Sequence, residues 1–279
     1  MSDVSAIAWT NATWNPVTGC SKVSPGCAHC YAETLAVTRL AGKPGYPGLP
    51  WTPENAAANV VLHPDRLDLP LHWRKPRRVF VNSMSDLFHE QVEDDFIWSV
   101  FQTMERAEQH TFQVLSKRPE RMARLVTWLY GCVWCDATGV AGDGDGCGMC
   151  VDGYKDPLPN VWLGTSIEND RFVGRAGALR ETPAGIRFIS AEPLLGSLEA
   201  LDLNGIDWLI VGGESGLGAR PMDPEWVREL RDRAVGSGIA FFFKQWGGRT
   251  PKAGGRLLDG RTWDEYPGGG LLDQPDPRS

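Results

Sequence analysis

The chain has 279 residues, 42% of them hydrophobic and 23% charged, with a net charge of −7. That is enough chain for a sizeable core and an ordinary composition for a soluble globular protein. The acidic balance argues against a protein that coats nucleic acid through its phosphates, while leaving room for a local basic groove or a nucleoside-sized substrate. No apolar run reaches transmembrane length. Met1-Ser2-Asp3-Val4 lacks the basic start and apolar core of a signal peptide. The expected compartment is therefore the cytoplasm, with no membrane partner. In a reducing compartment the seven cysteines are expected to be metal ligands or core residues rather than disulfides. The twelve tryptophans are expected in core and pocket walls.

In chain order, a short strand ending near Val17 follows Trp9, Trp14 and the turn pair Asn15-Pro16. A polar loop, 19–31, carries Cys20, Cys27 and Cys30 and the turn pair Pro25-Gly26. Tyr31 to Val37 opens a helical pattern expected to end near Gly42 as a C-cap. Residues 43–53 read as a surface loop. A rhythm then sets in. Apolar runs at Arg78–Asn82, Thr111–Leu115, Val161–Gly164, Ile186–Ile189, Trp208–Val211 and Ala240–Phe243 each end in polar residues. Helical periodicity follows at Phe96, Val100, Phe101 and Met104, from Pro119, after Glu168 and from about Pro224. Continuously apolar strands alternating with helices predict parallel strands buried on both faces.

With the strand before Cys20 there are about seven repeats. The expected fold is α/β, a partial (βα)6-7 TIM-like barrel, with a doubly wound sheet as the competing architecture. In both, the C-terminal ends of the strands line the active site. The expected organisation is an N-terminal half-barrel over 1–130, an inserted knuckle over 131–155, a C-terminal half over 156–249 and a loop-like tail over 250–279.

The cysteines divide as three plus four. Cys20, Cys27 and Cys30 are spaced C-x6-C-x2-C. Three thiolates leave one iron of a four-iron cluster without a protein ligand, open to a small molecule. Cys132, Cys135, Cys147 and Cys150 are spaced C-x2-C-x11-C-x2-C across a Gly/Asp-rich spacer. Paired knuckles suit a closed four-thiolate zinc site, whose metal would supply folding energy that the spacer lacks. A second iron–sulfur cluster is the alternative there.

The N-terminal cysteine loop followed by βα units resembles the radical S-adenosylmethionine (SAM) superfamily. The stretches Trp14–Cys20, Cys27–Glu33, Val81–His89 and Gly212–Gly216 resemble more closely a phage and prophage family whose members are mostly of unassigned function. The likeness covers roughly residues 8–248. It departs from the superfamily's C-x3-C-x-aromatic-C pattern, because the first gap is six residues and His29 fills the aromatic position. His29 covers the cluster as an aromatic would, or is a fourth ligand that closes the site. The resemblance implies a [4Fe-4S] cluster on Cys20, Cys27 and Cys30. It implies SAM chelated to the open iron and cleaved to a radical that abstracts hydrogen from a substrate. It also implies an electron donor such as a flavodoxin or ferredoxin. Occurrence in phages suggests a nucleobase or nucleoside in DNA modification as the substrate. The rival reading is a non-enzymatic protein with two zinc sites, Cys20/Cys27/His29/Cys30 and the four-thiol knuckle.

By the same resemblance, SAM contacts are expected from Tyr31, Ser85, Asp86, Ser166, Glu168, Gly213 and Glu214. Asp86 either binds the SAM ammonium or caps the next helix. Ser166 and Glu168 either meet the SAM ribose or carboxylate or start a helix. The glycine-rich turn at 212–216 would let a ligand approach the backbone. Lys117, Arg118 and Lys244 either receive a substrate carboxylate or phosphate or are solvated loop charges. His89 and Glu192 are candidate proton carriers or substrate ligands.

Overall fold

A computed structural model describes residues 5–132, 136, 138, 139, 150 and 153–268. Seven parallel strands form one sheet: β1 (Ala12–Trp14), β4 (Arg78–Val81), β5 (Thr111–Ser116), β6 (Val161–Ser166), β7 (Ile186–Ala191), β8 (Trp208–Gly212) and β9 (Ala240–Gln245). They lie side by side in chain order. A doubly wound sheet reverses its strand order at a switch point. This one never does, so it curls in one sense into a half-barrel. A small antiparallel pair, β2 (Val17–Thr18) and β3 (Val61–Leu62), stands apart.

The helices are α1 (Tyr31–Val37), α2 (Ala56–Asn59), α3 (Asp94–Arg106), α4 (Pro119–Tyr130), α5 (Arg175–Glu181) and α6 (Pro224–Gly236). Asp94 and Asp95 in the first turn of α3 complement its positive end. Asp223 caps α6 by accepting from Glu225 N at 2.9 Å, with Pro224 at the first helical position.

The alternating strand residues divide the molecule into two apolar layers. One face, including Val79, Val114, Leu163, Ile189, Val211 and Phe243, packs on the helices through Ile97, Val100, Met104, Met122 and Val227. The concave face carries Phe80, Phe188, Trp208, Ile210 and Phe242, joined by Trp9. Rising along the same face, residue type changes two positions later: Phe80 to Asn82, Gly164 to Ser166, Phe188 to Ser190, Phe242 to Lys244. The period of two in a strand thus gives the half-barrel an aromatic floor and a polar rim. Gly164 is required by this floor, because a Cβ there would lie 2.5 Å from the Phe188 ring.

Three sequence expectations need correction. Helix α1 ends at Val37, five residues before Gly42. Leu40 N instead bonds Leu35 O at 2.9 Å, a wider turn than the helix repeat. The loop over 43–53 is not wholly at the surface. Trp51 is buried, and its N–H donates to Glu33 Oε1 at 2.9 Å. Asp86 does not cap a helix, since α3 begins eight residues later, and it accepts from Phe88 N at 3.0 Å. The described part of the tail lies along β9: Phe243 N bonds Trp263 O at 2.9 Å, and Leu258 is buried.

Candidate functional site

At the C-terminal ends of the strands is a cavity of about 230 Å³. Cys20, Cys27, Cys30 and Tyr31 line it from the cysteine loop. Ser85, Asp86, Lys117, Arg118, Ser166, Glu192, Gly213, Glu214 and Lys244 line it from the strand ends. His89 and Glu168 do not line it. Cys132 is buried and lies at the base of the insertion, where its N–H bonds Gly153 O at 2.7 Å. Cys135 and Cys147 lie outside the described residues, so the four-thiol site does too.

The loop that carries the three thiols is fixed by the chain itself. Gly19 has a φ of +82°, and a Cβ there would lie 1.8 Å from Asn59 O, so only glycine turns the chain into Cys20. Cys27 ends a single 3₁₀ turn, and Cys30 is the N-cap of α1. All three are free thiols. Burial first, then the Asp86 carboxylate, pushes the Cys20 thiol up to about 12. Burial also raises Cys30, with the neighbouring Cys27 adding to it. A coordinated metal reverses this, because it binds the thiolate outright. Among the described residues, no three His, Cys, Asp or Glu side chains converge as ligands of one ion. The thiols instead share a cavity wall. That spread does not fit a single tetrahedral ion. It fits a donor set distributed over several metal atoms, one thiolate to each.

Three polar clamps hold the loop over the strand ends. At β5, Arg118 donates to Ser21 O at 3.3 Å and Ser21 Oγ at 3.1 Å, and reaches Cys20 Sγ at 3.6 Å. The same guanidinium is paired with Asp86 at 3.2 Å and Glu90 at 3.0 Å. At β6, Ser24 Oγ donates to Glu168 Oε1 at 2.5 Å. Gly26 packs so tightly on Glu168 that a Cβ would sit 2.4 Å from the same oxygen. At β8, Glu214 Oε2 lies 3.0 Å from His29 Nδ1 and pairs with Arg220. Arg220 in turn donates to Pro25 O at 3.0 Å. Burial opposes ionisation of Glu214, but the hydrogen bonds from Arg220 hold its carboxyl down to about 2.

Several expected roles change in this setting. Glu168 is fully buried beneath the loop, paired with Lys117 at 3.1 Å and Arg175 at 3.1 Å. It starts no α-helix directly, since α5 begins at Arg175. Lys117, Arg118 and Lys244 are not solvated loop charges: each is paired, with Glu168, Asp86 and Glu192 respectively. Asp86 accepts from Ser116 Oγ at 2.8 Å and Lys117 N at 3.0 Å besides Arg118. His89 is a buried prop. Its Nδ1 accepts from Gln91 N at 3.1 Å, so Nε2 carries the proton and donates to Ser21 Oγ at 2.8 Å.

Arg220, Ser21, Ser24, Asn15 and Asn82 were not singled out by the sequence. Arg220 follows a glycine-containing loop with no local pattern to mark it. Asn15 was legible only as a turn residue, yet its Oδ1 accepts from Met84 N at 3.0 Å and Ser83 Oγ at 3.2 Å. Asn82 has φ +61°, a conformation in which asparagine is enriched. That preference is a usable signal at a strand end.

The model of a family described as "Protein of unknown function (DUF5131)" matches residues 4–267. No curated protein matches. Among solved structures, one of spore photoproduct lyase complexed with dinucleoside spore photoproduct is similar, with 13% identity and a TM-score of 0.36. The alignment covers 78% of this chain and 59% of that one, so the chain spans about three-fifths of that protein's length.

Proposed function

We propose that this chain, which belongs to the DUF5131 family of proteins of unknown function, is a radical SAM enzyme acting on a nucleobase or nucleoside. One observation carries the reading: three free thiols, Cys20, Cys27 and Cys30, line a single cavity at the C-terminal ends of a parallel half-barrel. A [4Fe-4S] cluster held by these thiols, with SAM on its open iron, would supply hydrogen-atom abstraction. The chain's own residues would bind, orient and shield. The clamps at Arg118, Glu168 and Glu214 fix the loop before any ligand arrives. Glu214 and Asp86 are the carboxylates that reach the cavity beside the thiols, suited to a substrate or SAM ammonium. Tyr31, Ser85, Ser166 and Gly213 are the neutral lining groups proposed to meet the rest of SAM. The Lys244–Glu192 pair at the opposite rim can hold or release a proton toward the substrate. A flavodoxin or ferredoxin is the proposed electron donor, and a zinc ion on Cys132, Cys135, Cys147 and Cys150 the proposed structural metal.

The test is anaerobic reconstitution. Iron analysis is expected to give about four irons at the N-terminal loop and one zinc in the insertion. The electron paramagnetic resonance signal of the reduced protein is expected to change on adding SAM, and SAM to be cleaved. Two zincs with no iron, or cleavage retained in a Cys27→Ala/Cys30→Ala variant, would refute the reading.

A further inference from the structure

Two buried donors on the cavity wall have no acceptor. Asn82 is 2% exposed and lines the cavity. Its Oδ1 accepts from Val17 N at 3.2 Å, which fixes the amide so that Nδ2 is the donor left over. Trp9 is also 2% exposed and lines the cavity, and its Nε1 is likewise without a partner. Between the two donors stands Phe80, whose ring centroid is 4.7 Å from that of Trp9. Buried polar groups in folded proteins are almost always satisfied, so orphans beside a cavity point to what fills it.

The chemistry of the wall narrows the occupant. Aromatic faces select a planar ring. Two N–H donors select acceptor atoms on that ring. Adenine, cytosine and guanine each present an exocyclic amino group, which is a donor, whereas thymine and uracil present only carbonyl oxygens. A volume of about 230 Å³ is below the ~300–1,000 Å³ of drug-sized pockets and suits one small ring. Ser166 and Ser190, paired in register and also lining the cavity, offer hydroxyls to a sugar. Gln113 Oε1, in register with Phe80, is a third unpartnered atom but does not line the cavity.

We propose that the floor of this cavity is a subsite for a pyrimidine-2,4-dione ring, the ring of thymine and uracil. Asn82 Nδ2 and Trp9 Nε1 donate to its carbonyl oxygens, and Phe80 packs against its face. This rests on the reading of the site as a nucleoside-binding one, but not on the cluster.

The experiment is calorimetric titration of the full chain with thymidine, in protein free of iron and SAM. Saturable binding is expected, with deoxycytidine at least ~10-fold weaker because its amino group meets a donor. Asn82→Asp keeps the acceptor for Val17 N and replaces the donor. Trp9→Phe keeps an aromatic ring and removes the N–H. Each is expected to weaken thymidine at least ~10-fold, with an unchanged circular dichroism spectrum confirming the fold. Should Trp9→Phe misfold, Asn82→Asp alone decides. Absence of saturable binding, equal affinity for deoxycytidine, or wild-type affinity in the folded variants each overturns the proposal. Because no metal is present, the result is independent of SAM cleavage. Binding without cleavage would remove the cluster reading and leave the subsite.

Discussion

At the scale of single residues, the cysteine loop depends on contacts that its own sequence barely advertises. Gly26 is the sharpest case. Its Cβ position is filled by the Glu168 carboxylate, which Ser24, Lys117 and Arg175 hold in place, so the carboxylate has nowhere to go. Gly26→Ala is therefore expected to destabilise by about 1–3 kcal/mol, the usual range for overpacking, with a lowered Tm and poorer iron uptake. Gly177→Ala is the control. It lies within α5 with open space around it, and alanine there is expected to raise stability by roughly 0.5–1 kcal/mol. Equal melting curves for the two variants would contradict the packing. His89 makes a second prediction. Burial, then the Arg118 guanidinium, pushes its pKa down from 6.5 to about 4. Between those values the unfolded chain takes up a proton that the folded chain refuses. The stability from neutral His89 is thus full above pH 6.5 and lost as pH falls toward 4. In His89→Gln the fall in Tm between pH 6.5 and 4 is expected to be shallower than in the unaltered chain. Parallel curves would show that the imidazole is not buried neutral.

At the scale of elements, the strands were legible because a parallel sheet covered on both faces needs continuous apolar runs. Val79–Val81 and Leu209–Val211 read directly as such. The polar residue at each strand end was equally legible, and it placed Asp86, Lys117, Ser166, Glu192 and Lys244 on one rim. What could not be read was which rim charge neutralises which. Lys117 pairs with Glu168, fifty-one positions away in the chain, and that choice depends on the curl of the sheet. The tail was opaque for another reason. Its Gly- and Pro-rich composition speaks against helix and strand, yet Trp263, Asp264 and Glu265 run along β9, where Phe242 and Asp264 form an isolated antiparallel bridge. Trp208 Nε1 donates to Glu265 O at 2.9 Å. This segment covers an edge strand rich in phenylalanine, and an uncovered edge invites strand pairing between molecules. Ending the chain after residue 255 is accordingly expected to leave far-ultraviolet circular dichroism largely intact while causing concentration-dependent self-association. Light scattering identical to that of the longer chain would show that the tail is not an edge cover.

At the scale of the whole molecule, the half-barrel and the insertion make separable demands on the chain. The sheet never reverses its order, so each strand is supported by its sequence neighbours, and β5 and β6 pair in register from Phe112–Val161 to Ser116–Thr165. Between them the chain leaves through α4 and returns at Gly153. The exit and return meet: Gly131 and Tyr154 form an antiparallel bridge, and Lys155 N bonds Tyr130 O at 2.8 Å. A loop whose ends are held together by the parent fold can change length at small entropic cost, since closure entropy grows only with the logarithm of length. Replacing residues 133–152 with a short Gly-Ser linker is therefore expected to keep a cooperative melt close to that of the full chain. It should also keep the three N-terminal thiols competent for iron, and abolish zinc in metal analysis. A shortened chain that loses iron together with zinc would mean that the insertion helps to build the rim, not merely to decorate it. The cysteine loop would then have a fourth clamp, in addition to those at Arg118, Glu168 and Glu214.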